Sequence, residues 1–379
     1  MKRVLILGGG FGGIATARRL KQKLGSEVQV ILVDRRDTFM VGFRKSWALV
    51  GESTLEEGQK PINSLEGLGV QVLRDPVRVI EPKERAAYIA DQRIDADALV
   101  IALGAELNPG AVPGFQEHAL NVYDQQDIPR AAKALNDFEG GQVVIGIFGA
   151  PYKCPPAPYE MALLINDKLN ARRIKAKITV FTPQPMSLPV LGSVGCDLIE
   201  SRLADAGIEF LPNHKAKEIE AGEVLFENKR IPYNLLLGIP PHKSPAPVRE
   251  GGLVGQSGWV EVNKHTLETS FPSVYAIGDV TQIMLANGKP LPKAGLFAEQ
   301  MGEVVAERIA SSFLGEEPTV IFTGEGGCYL EVGGGRAMMV RGNFLAEPEP
   351  EVMLTEASSE LLNEKRLFET QRLVEWFGR

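Results

Sequence analysis

The chain has 379 residues, room for two or three domains with cores of their own. A net charge of −7 argues against nucleic acid as a partner. No apolar run reaches the ~18 residues of a membrane span. The start, Met1-Lys2-Arg3 and then Val4 to Leu7, has the look of a secretory signal. The run is short and enters glycines in place of a cleavage site. The expectation is a cytoplasmic protein, free or peripheral on the cytoplasmic face of a membrane. Three cysteines, Cys154, Cys196 and Cys328, are too few for a structural disulfide framework.

Residues 2–7 read as a buried strand, and Gly8-Gly9-Gly10-Phe11-Gly12-Gly13 follows. Helical periodicity runs from Ile14 to Leu24, and a second strand, Val28 to Val33, ends at Asp34 with Arg35 beside it. This is a G-x-G-x-x-G dinucleotide fingerprint in its required strand–turn–helix–strand context. Gly8 permits the tight turn, Gly10 lets the backbone approach a pyrophosphate, and Gly13 lets helix and strand pack closely. Asp34 accepts from the ribose of the adenosine half. Two later segments choose between FAD and NAD. Ala98 to Ala105 is an apolar strand that ends at Ala102 to Gly104, and Ser273 to Val280 contains Gly278-Asp279. Both resemble flavin-contacting segments of two-dinucleotide flavoproteins, in which the aspartate binds the ribityl chain. The cofactor expected is FAD.

Asp124 to Phe138 reads as a helix, 142–148 as a strand, 158–171 as a helix, 177–181 as a strand and Gly195 to Ala206 as a helix. That alternation predicts a parallel sheet. The expected fold is therefore α/β, with two Rossmann-like domains and a small C-terminal region. The FAD domain takes residues 1–109 and 248–318, the second domain 110–247, and the C-terminal region 319–379.

In the second domain, the phosphate turn is replaced by Gly149-Ala150-Pro151-Tyr152-Lys153-Cys154-Pro155-Pro156. Prolines fix φ and remove donors, so this loop cannot wrap amides around a pyrophosphate. It presents Cys154, with Glu160 six residues on as a proton acceptor or donor, or as a helix-dipole partner. Cys328 is expected in a second loop, beside glycines. Cys196 falls in a helical pattern and reads as a small buried residue. Lys293, with Ala294 and Gly295, opens the helix 296–313, where a cation and a helix N-terminus suit a reduced, anionic flavin. A last helix near 358–377 carries Leu361, Leu367, Phe368, Leu373, Trp376 and Phe377. These either dock on a bilayer or pack on this chain or on a second copy.

Together these motifs resemble the sulfide:quinone oxidoreductases and the flavoprotein subunit of flavocytochrome c sulfide dehydrogenase. The resemblance rests on the Gly8–Gly13 turn, the Lys153–Glu160 loop, Ile239-Pro240-Pro241-His242, Ala276-Ile277-Gly278-Asp279, Pro292-Lys293-Ala294-Gly295 and Cys328-Tyr329. It implies that Cys154 and Cys328 form a redox-active pair that takes electrons from sulfide or a related sulfur substrate. Cys328, by its position nearer the flavin, passes two electrons to FAD, which reduces a quinone. Glu160 aligns with the family's acid/base residue, and Tyr329 with an aromatic on the quinone side. This chain departs from the pattern in three places. Asn121-Val122-Tyr123-Asp124 stands where a third cysteine is common. The histidine common after strand 177–181 has no match near Leu188-Pro189-Val190. No cysteine at Phe39-Met40-Val41 offers a covalent flavin bond, so FAD is expected to be non-covalent. A type II NADH:quinone reductase and a non-catalytic redox sensor are the competing readings.

Overall fold

The computed structural model describes residues Met1–Gly378. Val4 to Leu7 are wholly buried, as a strand covered on both faces requires. Their strand, Lys2–Leu7, is the centre of a five-stranded sheet. Across that sheet the order is Val274–Ala276, Ala98–Ile101, Lys2–Leu7, Val28–Asp34 and Val70–Arg74, all parallel. A second parallel sheet has the same plan: Leu120–Asn121, Leu235–Ile239, Gly141–Ile147, Ala176–Phe181 and Glu209–Leu211. Each sheet has a three-stranded antiparallel insert just before one strand, within 77–95 and 218–232. These inserts are short and have no long apolar run, so the sequence pattern passes over them. The two-sheet α/β architecture is the one the sequence implies.

Helix Phe11–Leu24 and helix Gly295–Leu314 lie side by side and parallel. The contacts advance together along both. Gly295 faces the Phe11 ring, Thr16 Oγ1 donates to Gly302 O at 3.1 Å, and Arg19 Nε donates to Glu307 at 2.6 Å. The backbones meet so closely that a Cβ on Gly302 would stand 2.3 Å from Gly12 O. Glycine is required there by space, not by φ.

Cys328 lies inside strand Glu325–Glu331, not in a loop as its neighbouring glycines suggested. Those glycines serve close packing. A Cβ on Gly327 would meet Val340 O at 2.1 Å, and one on Gly326 would meet the Phe297 ring at 2.4 Å. The strand joins Ala337–Asn343 and Glu351–Leu354 in an antiparallel sheet. The last helix, Ser359–Phe377, starts at Ser358, whose hydroxyl accepts from the Leu361 amide. Its buried stripe is Leu362, Lys365, Glu369, Leu373 and Trp376, so the helix packs on its own chain. Leu367 and Val374, 53% and 43% exposed, are on the other side. No helix among the described residues is long and apolar enough to cross a membrane.

Replacing Gly302 by Leu forces the two parallel helices apart. The expected loss is about 1–3 kcal/mol or more, read as a lowered thermal midpoint; an unchanged midpoint would show the helix contact to be slack.

Candidate active site

The glycine turn is shaped by contact. Gly8 has φ +112°, and a Cβ there would meet Ala102 O at 2.2 Å. A Cβ on Gly13 would stand 1.8 Å from Gly8 O, and one on Gly12 would stand 2.8 Å from Ala298 O. Gly10 alone of these opens onto free space. It is the N-cap of helix Phe11–Leu24, as Ala294 is of helix Gly295–Leu314, and neither start has a side-chain cap or an acidic residue in its first turn. Two neighbouring, parallel helices thus aim unsatisfied amides and positive dipole ends the same way, which is a site for an anion.

Asp34 closes one end of this cradle. Its carboxylate accepts from the Gly9 amide at 2.7 Å and from Arg36 at 2.8 and 3.0 Å. Burial pushes its pKa up, but Arg36 and the two amides more than offset this and hold it below the ordinary value. The arginine that meets Asp34 is Arg36; Arg35 is exposed and makes no such contact. At the other end, Gly278 has φ +72° and aims Asp279 into a cleft lined by Thr281, Lys293, Ala294 and Phe297. Burial raises the Asp279 pKa against the pull of Lys293 and Lys153, and no hydrogen bond to its carboxylate contributes. A carboxylate so placed suits a hydroxyl donor. Gly104, φ +67°, borders open space near the turn.

The second domain's loop reaches over this cleft. The Cys154 amide donates to Lys293 O at 2.8 Å, and Tyr123 Oη donates to Cys154 O at 3.0 Å. Cys154 itself has φ +52°, a strained conformation held by these two contacts. The fold brings Cys328 beside it. Both are free thiols, and each moves the other's pKa. Its interaction with Cys328 is the main cause that lowers the Cys154 pKa. The same interaction, with burial, raises Cys328 well above the usual thiol value, and the Cys328 thiol donates to Tyr329 O at 3.6 Å. Cys196 is apart from this site, buried in helix Gly192–Asp205 with its sulfur against Leu188 O.

Lys293 does not point freely into the cleft. Its ammonium donates to Asp279 O at 2.6 Å and Thr281 O at 3.0 Å, and sits 3.5 Å from the Trp259 ring centre. Burial lowers its pKa to about 8.

Glu160 is the buried N-terminal carboxylate of helix Ala157–Ala171. Its partner is a charge that sequence reasoning missed. Lys365, from the C-terminal helix, is fully buried and donates to Glu160 Oε2 at 2.7 Å and to Glu331 Oε2 at 2.9 Å. Glu331 returns its backbone amide to Glu160 Oε2 at 2.9 Å, and Trp47 Nε1 donates to Glu331 Oε2 at 2.8 Å. Arg44 pairs with Glu369 through both Nε and Nη2. Burial acts to lower the Lys365 pKa, but the two carboxylates together raise it. Glu160 Oε1 is left buried without a partner. Tyr329, one residue past Cys328, is partly buried with its ring 6.4 Å from that of Phe368. A signal for Lys365 exists in the sequence: Lys365 and Glu369 share a helical stripe with Leu362, Leu373 and Trp376. Charges on an apolar stripe need buried partners.

The family model for pyridine nucleotide-disulphide oxidoreductases matches residues 2–293. The chain belongs to that family. It is an FAD-dependent oxidoreductase. The chain is 25% identical over 370 residues to the mitochondrial sulfide:quinone oxidoreductase of Mus musculus, covering 91% of this chain and 79% of that one. It is 29% identical over 348 residues to the alternative NAD(P)H-ubiquinone oxidoreductase of Arabidopsis thaliana, covering 79% and 65%. The solved structure of the sulfide:quinone oxidoreductase from Aquifex aeolicus matches with a TM-score of 0.90 at 24% identity, over 100% of this chain and 92% of that one. In this pyridine nucleotide-disulphide oxidoreductase, the family match ends at Lys293, so Cys328, Glu331 and Lys365 all come from chain beyond it.

Two outcomes test the site. Gly10→Val meets no protein atom, so the variant should fold with an unchanged circular dichroism spectrum yet purify without yellow FAD; a fully loaded variant would contradict the cradle. Lys365→Met leaves two buried carboxylates uncompensated and should cost about 3–5 kcal/mol in denaturant titration. Adding Glu160→Gln should recover some of that loss; no recovery would mean that the pair is not the source.

Proposed function

We propose that this enzyme oxidises sulfide, or a related sulfur nucleophile, through Cys154 and Cys328 and hands the electrons to a quinone. The observation that carries the reading is that two thiols from segments 174 residues apart come near enough, over the cleft that suits FAD, to shift each other's titration. The residues that would hold FAD are Gly8 to Gly13, Asp34, Ala102, Gly104, Gly278, Asp279 and Lys293 to Gly295. No cysteine lies near Met40, so the cofactor is held without a thioether bond. Bound FAD would accept two electrons and pass them to the quinone.

The chain's own residues do the sulfur chemistry. Hydrosulfide attacks the Cys154 sulfur of the oxidised pair. The Cys154–Cys328 bond breaks, a persulfide forms on Cys154, and Cys328 leaves as the thiolate. Rejoining Cys328 to the persulfide gives a sulfur-bridged pair and releases two electrons and one proton. Glu160, with one oxygen free of partners, takes that proton. A second nucleophile then attacks the bridging sulfur and carries it off, and the two cysteine sulfurs rejoin as the disulfide, which restores the oxidised pair. Tyr329, with the Phe368 ring 6.4 Å away, would offer the aromatic surface on which the acceptor stacks.

The likeness to an NAD(P)H-ubiquinone oxidoreductase favours a second reading, in which a nicotinamide is the donor. Against it stands the loop that follows strand Gly141–Ile147. It has prolines at 151, 155 and 156, and Tyr152 is buried within it.

Anaerobic stopped-flow absorbance separates the two readings. Sulfide should bleach the flavin and NADH should not. Cys154→Ala should keep its FAD and lose sulfide-driven bleaching by roughly a hundredfold or more. Bleaching by NADH alone, or an unaffected Cys154→Ala variant, would sink the assignment.

A further inference from the structure

Cations gather around the Cys154 loop without counter-charges. Lys45 Nζ donates to Tyr123 O at 3.2 Å and lies 5.7 Å from the Tyr123 ring centre. The hydroxyl of that same tyrosine holds the Cys154 carbonyl. Lys153 adjoins the thiol in sequence, and its backbone bridges to Lys293. His242 stands edge-on to Tyr123 with ring centres 5.8 Å apart. Its Nδ1 is satisfied by Pro240 O at 2.9 Å, while Nε2 is buried and has no partner. Burial and three nearby lysines keep this imidazole neutral, with its pKa lowered to about 3.

Lys365 is paired with Glu160 and Glu331 and Arg44 with Glu369, while the buried Arg308 is held by the Pro318 and Val320 carbonyls. Among the described residues, no ion pair involves Lys45 or Lys153. Asp124 and Asp279 act on them only through space. Burial is the first cause that lowers both lysines, Lys45 to about 8. Both side chains are only partly buried; a partly desolvated cation without a counter-charge in contact is still costly, and an anion from outside would relieve it. Lys293 differs, because two carbonyls and the Trp259 face already hold its ammonium.

We propose that Lys45 and Lys153 form a binding site for small monoanionic sulfur nucleophiles, hydrosulfide in particular, and load them beside Cys154. The inference rests on the sulfide-oxidising reading. The site favours the anion over neutral hydrogen sulfide because a cation in a poorly solvated setting attracts charge strongly. Tyr123 serves as its floor. It orients Lys45 through its carbonyl and Cys154 through its hydroxyl.

The experiment uses the FAD-loaded full chain as wild type, Lys45→Met, Lys153→Met and Lys45→Arg. In anaerobic stopped flow, the sulfide concentration for half-maximal flavin reduction should rise roughly tenfold or more in each Met variant, with FAD content kept and the limiting rate much less affected. Lys45→Arg should recover most of the loss. Thiocyanate, a monoanion that does not reduce the flavin, should compete with sulfide in the wild type and lose that competition in the Met variants. An unchanged half-saturation would overturn the proposal. So would loss of FAD from the variants, which would place these lysines in the flavin cradle instead. If sulfide fails to reduce the wild type, the reading of function falls by itself. The anion site is then judged by thiocyanate alone: a saturable shift of the flavin spectrum in wild type and not in Lys45→Met sustains it, and no shift overturns it.

Discussion

A single buried ammonium ties together three segments of the chain that sequence keeps far apart. Lys365 binds Glu160, on the helix that follows the cysteine loop, and Glu331, on the strand that carries Cys328. Glu160 is six residues from Cys154, and Glu331 is three from Cys328. The register of the thiols therefore depends on a salt bridge that neither thiol touches. Such a bridge adds little net stability by itself, because three charges must leave water to form it. What it provides is geometry: few other arrangements satisfy two buried carboxylates with one cation. The Trp47 indole and the Arg44–Glu369 pair extend the same network to helix Arg44–Val50.

The flavin cradle depends on a different constraint, steric rather than electrostatic. Two helices start side by side only because Gly12 and Gly302 let their backbones touch. Dipoles placed parallel and close repel one another, so the arrangement is unfavourable without an anion at the shared end. Packing along Thr16, Arg19 and Glu307 offsets that repulsion in the protein alone. The cradle is thus built before any cofactor arrives, and the bound anion collects the benefit.

The features legible in the sequence are those whose causes are local. A glycine fingerprint, apolar strands and alternating helices are each set within about ten residues, and both parallel sheets follow from them. The proline loop is legible for the same reason. Cys328 is read as a loop residue because Gly326 and Gly327 resemble turn glycines, yet their role is to admit Phe297 and Val340 from elsewhere in the fold. The partner of Glu160 is invisible for the same kind of reason: it lies 205 residues away. Arg36, not Arg35, meets Asp34 because the chain turns after strand Val28–Asp34 and brings the Arg36 amide as well as its guanidinium onto the Asp34 carboxylate. Long-range pairing of charges is what a single sequence discloses least.

The thiol pair sits between two fields of opposite character, and this bears on how it works. On the Cys154 side are Lys45 and Lys153, cations without anions. On the Cys328 side is a buried cluster with more carboxylates than it can fully satisfy, as the lone Glu160 Oε1 shows. A proton shared between the sulfurs is accordingly driven toward Cys328 and negative charge toward Cys154. Lys365 moderates the asymmetry, since it favours the thiolate at both sulfurs while it neutralises Glu160. Here the polarity is built into the scaffold. In the reduced pair, charge gathers at Cys154, beside the cations, and the proton stays at Cys328. A two-electron sulfur oxidation needs that division, because electrons and proton must leave the sulfurs by different routes.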